Sequence, residues 1–154
     1  MAKFKPIHGI VLVVAAVAGL VLLDSRSGRS EFQQVRAAPD GVVRLNVADL
    51  DRGQVRFYRF LNSANQEVEF FVGRDPQGTV QVAFDASENH FKRRRGFRLQ
   101  DGWIVDNQCG SSFRLSSVNG GGRGCSPIPL PHRDAGNEVL ITEPDLLRGW
   151  RLFN

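Results

Sequence analysis

Downstream of Gly41, apolar and polar residues alternate in short runs that are separated by Gly, Asn, Asp and Pro. A period of two interrupted by turn-forming residues is typical of β-strands and not of amphipathic helices. The pattern therefore predicts a mainly β fold: one small antiparallel domain of hairpins, sandwich-like or barrel-like. The predicted strands are 42–47, 54–61, 67–72, 79–85, 96–99, 103–105 and 139–142, with a less regular stretch at 113–118.

Turn-forming residues join these strands into hairpins. Asn62-Ser63-Ala64-Asn65 links the second strand to the third, and Gln100-Asp101-Gly102 links the strands at 96–99 and 103–105. Asp75-Pro76-Gln77-Gly78 precedes the strand at 79–85, in which Val80, Val82 and Phe84 fall on one face.

The C-terminal third contains two segments of a different kind. Three prolines between Cys125 and Pro131 cannot donate to a sheet, so this stretch is predicted to be an extended segment lying on the domain. Residues 143–148 (EPDLLR) predict a single helical turn with Pro144 near its start.

The N-terminal region has an uninterrupted apolar run. Residues 7–23 (IHGIVLVVAAVAGLVLL) are seventeen in number, close to the roughly 17 to 25 needed to cross a bilayer as a helix. Lys3 and Lys5 precede the run, and short basic N-termini usually stay inside the cell. A signal peptide cleaved after Ala16-Val17-Ala18 is the alternative.

Both interpretations of the apolar run place the domain outside the cytoplasm. The predicted organisation is a cytoplasmic N-terminus at 1–6, a transmembrane signal-anchor at 7–23, a linker at 24–40 and an exported β-rich domain at 41–154. The expected location is a bacterial inner or internal membrane, crossed once, with the C-terminal domain on the periplasmic or luminal side. The membrane, through residues 7–23, is thus one expected partner, and other membrane or periplasmic proteins are the next.

The net charge of the chain is +4; Lys3 and Lys5 precede the apolar run, and four further basic residues form one cluster in the domain, Lys92, Arg93, Arg94 and Arg95. A nucleic-acid binder would spread its cations over a face with interleaved aromatics, so no nucleic-acid partner is expected. The cluster is either a solvated loop or a basic patch facing an anionic partner. No enzyme motif, such as Gly-x-Ser-x-Gly, His-Glu-x-x-His or a phosphate loop, occurs, so no catalytic residues and no enzymatic activity are expected.

Three strings carry a family resemblance: VQVAFDASENH, RRRGFRLQDGWIVDNQCGSSF and GRGCSPIPL. They resemble the FtrD-like membrane iron-sulfur domain family, in which a strand ending in Asp-Ala-Cys-x-x-Cys precedes Lys-Gly-Tyr, Cys-x-x-Cys-Gly and Gly-Cys-Asn-Pro-Ile-Pro-Leu. The resemblance implies a role in bacterial iron or copper handling, with the family's cysteines as metal ligands.

The sequence departs from that pattern at the cysteines. Ser87 and His90 stand where the family has its first pair, and Asp106 stands at the first position of its second pair, so that Cys109 and Cys125 remain. Two thiolates in one chain do not make a standard iron-sulfur site.

The remaining residues leave three alternatives for the site. Cys109 and Cys125 form a disulfide in an oxidising compartment, or they bind one zinc, copper or iron ion with His90 and with Asp106 as a fourth ligand, or they stay free or bound to a partner, as in a thiol oxidoreductase. The leading hypothesis is a membrane-anchored periplasmic accessory protein related to metal handling or redox machinery, which binds a single ion or acts as a subunit. The alternative is a structural interaction module held by the Cys109–Cys125 disulfide, without metal.

Overall fold

The computed structural model describes residues 31–154, so the predicted N-terminus at 1–6 and signal-anchor at 7–23 lie outside the described residues. Strands make up 43% and helices 11% of the described chain, which confirms the mainly β prediction. None of the helices between residues 31 and 154 has the length and apolar character to cross a membrane. The strands are β1 (Phe32–Val35), β2 (Val42–Asn46), β3 (Val55–Leu61), β4 (Glu67–Arg74), β5 (Val80–Ser87), β6 (Phe97–Gln100), β7 (Trp103–Asp106), β8 (Ser112–Arg114), β9 (Pro127–Pro129), β10 (Arg133–Asp134) and β11 (Glu138–Thr142).

One α-helix and three short 3-10 turns complete the described elements. The helix α1 spans Glu143–Leu147, and the 3-10 turns span Phe91–Arg93, Leu115–Ser117 and Trp150–Leu152. Thr142 caps α1, because its Oγ1 accepts a hydrogen bond from the Asp145 amide over 3.3 Å. Pro144 sits in the first turn as predicted, where no intrahelical N–H is required.

A five-stranded sheet in the order β1-β3-β4-β5-β9 forms the centre of the domain. The pairs β3–β4 and β4–β5 are antiparallel, as the two predicted hairpins require. The expectation of purely antiparallel pairing is corrected at one edge, where β1 runs parallel to β3 with Phe32 opposite Phe57. The strand β1 also lies inside the stretch 24–40 that was expected to be a linker, so the ordered domain starts before residue 41.

The central sheet is covered on both faces. The sheet β10-β11-β2 packs over the face that carries Phe60, Phe70 and Val82. The sheet β6-β7-β8 packs over the other face, where Phe71 and Ala83 meet Phe97 and Ile104. Because both faces are buried, every residue of β5 is buried, including those between Val80, Val82 and Phe84, which share one face as predicted.

Side chains fix the hairpin turns that set the strand register. Asn62 Oδ1 accepts hydrogen bonds from the amides of Ala64 and Gln66. Asp101 and Gly102 both have positive φ, +50° and +78°, as the two-residue turn between β6 and β7 requires.

Two C-terminal segments differ in detail from the prediction. The proline-rich segment is extended, and its residues Pro127–Pro129 form the edge strand β9, paired irregularly with β5. The stretch predicted as a strand at 113–118 is a strand only to Arg114, after which the backbone tightens into the 3-10 turn that buries Leu115. Leu115 packs in the same cluster as Phe71 and Ile104, and this packing outweighs the extended preference of the local sequence.

Candidate metal centre

Three loops meet at one end of the domain. His90 follows β5, Cys109 lies between β7 and β8, and Cys125 precedes β9. One ligand atom from each residue lies within 4.8 Å of the other two. His90 Nε2 lies 3.5 Å from Cys125 Sγ.

The loop that carries His90 is tied to the loop that carries Cys125. The Asn89 amide donates to the Gly124 carbonyl over 3.1 Å, which places the next residue of each loop side by side. Gly124 has φ of +76°, a conformation that residues with a Cβ rarely adopt. The His90 carbonyl accepts from the Arg93 amide and so begins the 3-10 turn that follows.

Asp106 shapes the loop that carries Cys109. Its Oδ1 accepts hydrogen bonds from the amides of Gln108 and Cys109 over 2.6 and 3.0 Å. Its backbone carbonyl accepts from the amide of Gly110, which has φ of +73°. Asp106 is 2% exposed and lies outside the group formed by His90, Cys109 and Cys125. The contacts of this residue, predicted as a fourth ligand, are hydrogen bonds that shape the loop.

The Asn107 side chain holds the same loop against the segment that precedes β6. The side-chain Nδ2 donates to the Arg95 carbonyl over 2.8 Å, and the backbone amide of Asn107 donates to the Gly96 carbonyl over 3.0 Å. The Cys109 loop is therefore held by the hydrogen bonds of Asp106 within the loop and by those of Asn107 to the segment before β6. Neither residue carries a motif that would have indicated these roles from sequence.

The pKa values of the two thiols are shifted in opposite directions. Desolvation raises the pKa of the Cys109 thiol, but hydrogen bonds from Cys125 and Ser111 outweigh it and place that pKa below its usual value. The hydrogen bond to Cys109 raises the pKa of Cys125, with desolvation and the Cys109 charge acting in the same direction. Because the thiolate is the form that binds metal, the lowered pKa favours Cys109 as the thiolate of the pair.

The remaining predicted site residues are also placed. Lys92, Arg93, Arg94 and Arg95 are all exposed, directly after His90. Arg94 has φ of +49°, and its Nη2 donates to the Phe153 carbonyl. His132, with Nδ1 2.9 Å from the Leu130 carbonyl, lies outside the ligand group.

The donor set does not fit an iron-sulfur cluster. Such clusters take four protein ligands, mostly thiolates, and the chain has two cysteines in all. Ser87, at one lost cysteine position, is 2% exposed and hydrogen-bonds to Asp106, at another. Two positions at which the resemblance places cysteines are thus buried and hydrogen-bonded to each other.

The same donor set fits a single ion. With Zn–S and Zn–N distances of about 2.3 and 2.0 Å, a tetrahedral site separates S from N by about 3.5 Å and S from S by about 3.8 Å. The 3.5 Å between His90 Nε2 and Cys125 Sγ agrees with the first value. Imidazole and thiolates suit zinc and copper, and three protein ligands leave one coordination position open.

The fold and this cluster define a small β-rich domain with a His-Cys-Cys group that could hold one metal ion. A family model described as "Membrane iron-sulfur containing protein FtrD-like" matches residues 50–153, and the chain therefore belongs to the FtrD-like family. The matched range includes His90, Cys109 and Cys125. Comparisons with curated proteins and with solved structures find no match.

Proposed function

We propose that this chain is a membrane-anchored accessory protein of iron or copper handling, or of redox machinery, that holds one metal ion between His90, Cys109 and Cys125. The convergence of their ligand atoms within 4.8 Å carries the proposal. The family description, which names a membrane protein and iron-sulfur chemistry, supports the setting. The bound species is a single Zn²⁺ or Cu⁺ ion, because imidazole and two thiolates favour these softer ions.

Metal analysis of the full chain, purified under reducing conditions, tests this proposal. The expected result is one ion for each chain, and its loss in H90A, C109S and C125S. H132A is the matched control, because it removes a histidine outside the ligand group. A chain without stoichiometric metal, or an H90A variant that keeps its ion, overturns the proposal.

A second candidate function rests on the same two sulfur atoms. Both cysteines are free in the structure, and their Sγ atoms lie within 4.8 Å of each other, against about 2.05 Å in a disulfide. A modest loop movement would join them, and the closed loop would stabilise the domain by about 3 kcal/mol in the chain-entropy estimate. Intact mass of the air-purified chain decides this case: a loss of two hydrogens that reductant reverses, together with no bound metal, favours the structural module.

We further propose that the domain lies on the periplasmic side, anchored through residues 7–23. The apolar run and the two lysines before it support this orientation. Alkaline phosphatase is active only after export, so a fusion at Asn154 is expected to be active. A green fluorescent protein fused at Asn154 that fluoresces in the cytosol, together with an inactive phosphatase fusion, contradicts the proposed orientation.

A further inference from the structure

The charge of the described domain is distributed asymmetrically. Residues 88–125, which carry all three candidate ligands, contain seven basic and three acidic residues, a net charge of +4. The other described residues, 31–87 and 126–154, contain nine basic and twelve acidic residues, a net charge of −3. The excess of cations therefore accompanies the candidate metal centre.

Five ion pairs of the described domain lie away from the site. These pairs are Asp40–Arg44, Asp49–Arg56, Arg59–Glu67, Arg59–Glu69 and Asp145–Arg148. All five lie outside residues 88–125. Seven basic side chains and three carboxylates in residues 88–125 leave an excess of positive charge around the site, which is available to an anionic partner.

The outer face of the β6-β7-β8 sheet adds an aromatic side chain to this charge. Gln100, Trp103 and Arg114 stand opposite one another across the three strands. Among residues 31–154, Trp103 is the large hydrophobic residue that is exposed, at 41%. The Arg114 guanidinium lies 5.7 Å from the centroid of its ring. Trp and Arg are the residue types that dominate binding energy at protein interfaces.

This face is continuous with the metal centre. Arg98, Val105 and Ser112 form the neighbouring row on the same side of the sheet. A shallow groove lined by Arg98 and Trp103 reaches Gly110, the residue after Cys109. Cys109 itself is exposed. A molecule seated on the sheet therefore contacts the ligand loop.

We infer that this face, formed by Arg98, Gln100, Trp103, Val105, Ser112 and Arg114 with the cations at 92–95 and 123, docks an acidic protein that exchanges metal with His90, Cys109 and Cys125. The inference rests on the proposed function. A protein fits better than an anionic bilayer, because a partner's thiolates or imidazoles can enter the open coordination position of the ion. In that exchange the partner's thiols lose protons, Cys109 and Cys125 gain them, and the metal keeps its oxidation state.

Two synthetic peptides test the inference against the full chain in phosphatidylcholine nanodiscs. Both contain Ser-x-x-Ser, and they differ only in whether glutamates or glutamines flank it. The metal-free protein is expected to bind the glutamate peptide at least tenfold more tightly at low ionic strength, and added salt should remove the difference. Because no metal is present, this result is independent of the proposed function.

Charge-reversal variants locate the surface. R93E/R114E is expected to lose the preference for the glutamate peptide, whereas R36E/R133E, with the same change in net charge on exposed residues outside 88–125, is expected to keep it. Equal binding of both peptides, or equal loss in both variants, overturns the inference. Loss of peptide binding in nanodiscs that contain phosphatidylserine assigns the face to the bilayer and also overturns it.

Cysteine versions of the peptides then report metal exchange. Zinc is expected to leave the loaded protein about tenfold faster for the glutamate peptide than for the glutamine peptide, with the same dependence on salt. Equal transfer rates for the two peptides contradict the exchange step even where docking is preserved. A chain that never loads zinc fails the proposed function and leaves the docking result standing.

Discussion

Ser87 Oγ donates a hydrogen bond to Asp106 Oδ2 over 3.2 Å, and both side chains are 2% exposed. These are two of the positions at which the FtrD-like pattern has cysteines. Ser87 and Asp106 hydrogen-bond to each other, while His90, Cys109 and Cys125 have side chains of types that bind metal. The site of this chain therefore combines a buried hydrogen-bonded pair with three side chains that could bind a metal ion.

Asp106→Ala is expected to destabilise the protein and to weaken metal binding. The substitution leaves the Gln108 and Cys109 amides and the Ser87 hydroxyl without their acceptor, at a cost of about 3 kcal/mol in the free energy of unfolding. The Cys109 loop then loses its shape, and we expect at least a tenfold loss of zinc affinity. Urea unfolding of the metal-free chain and a chelator competition measure the two effects.

Asp106→Asn separates loop shaping from metal ligation. The asparagine Oδ1 can accept from the same two amides, and its Nδ2 can donate to Ser87, so stability is expected to fall by less than about 1 kcal/mol. An amide is a poor ligand for zinc compared with a carboxylate. If D106N loses zinc as completely as D106A while remaining stable, Asp106 is a ligand and the loop-shaping account is wrong.

Ser87→Cys combined with Asp106→Cys is expected to restore cluster chemistry. The two new thiols would lie at positions now joined by the 3.2 Å hydrogen bond, next to the Cys109 loop, and would raise the number of thiolates to four. Ligation of Cys109 by the cluster would then hold the loop that Asp106 holds in the natural chain. Reconstitution with iron and sulfide under anaerobic conditions should then produce the visible absorption of an iron-sulfur cluster in the double variant but not in the natural chain. Equal cluster formation in the natural chain contradicts the argument from donor number.

Much of the fold was predictable because turn chemistry and strand pattern agree locally. Asn62 and the Asp101-Gly102 pair marked hairpin turns that the structure contains, and Pro144 marked the start of α1. The convergence of His90, Cys109 and Cys125 was predicted only through the family resemblance, since no spacing rule brings three separate loops together.

Other features depend on contacts between distant parts of the chain, which a local pattern does not contain. The strand β1 has no alternation and forms because it pairs with β3, where the Phe32 ring packs edge-on to Phe57 at 5.8 Å between centroids. The roles of Asp106 and Asn107 in shaping the Cys109 loop depend on the fold of that loop. The sequence shows a carboxylate near two cysteines, which equally suits a ligand.

Gly96→Ala is expected to be far more destabilising than Gly102→Ala, although both glycines have positive φ. A Cβ at residue 96 would overlap the buried Asp85 carboxylate, whose Oδ1 accepts from the Phe97 amide over 2.7 Å. We expect a loss of about 3 kcal/mol or more at residue 96, from the steric clash and backbone strain together. At residue 102 nothing lies within 4 Å of the added Cβ, so only the backbone strain of about 1 kcal/mol remains. Urea unfolding of the two variants tests this, and equal losses would contradict it.

Tyr58 provides a direct optical test of the core, because it is the single tyrosine of the chain. Its ring is 3% exposed and stacks on Phe70 at 5.4 Å between centroids. Burial raises the pKa of Tyr58 above its ordinary value, and the hydrogen bond with Arg56 offsets only part of that effect. The tyrosinate absorbance is therefore expected to appear at higher pH in the folded chain than in urea.

The sign of the linked effect on stability follows from the direction of this shift. The raised pKa means that the unfolded chain loses the Tyr58 proton first, so this contribution to stability is complete below about pH 10 and falls as the pH rises through the folded-state value. Tyr58→Phe removes the titrating group and should flatten the alkaline part of the stability curve. Arg56→Gln is expected to move the midpoint still higher, because it removes the interaction that lowers the pKa. A folded-state midpoint equal to that in urea would show that the Tyr58 hydroxyl is solvated and would contradict the packing of β3 between the two sheets.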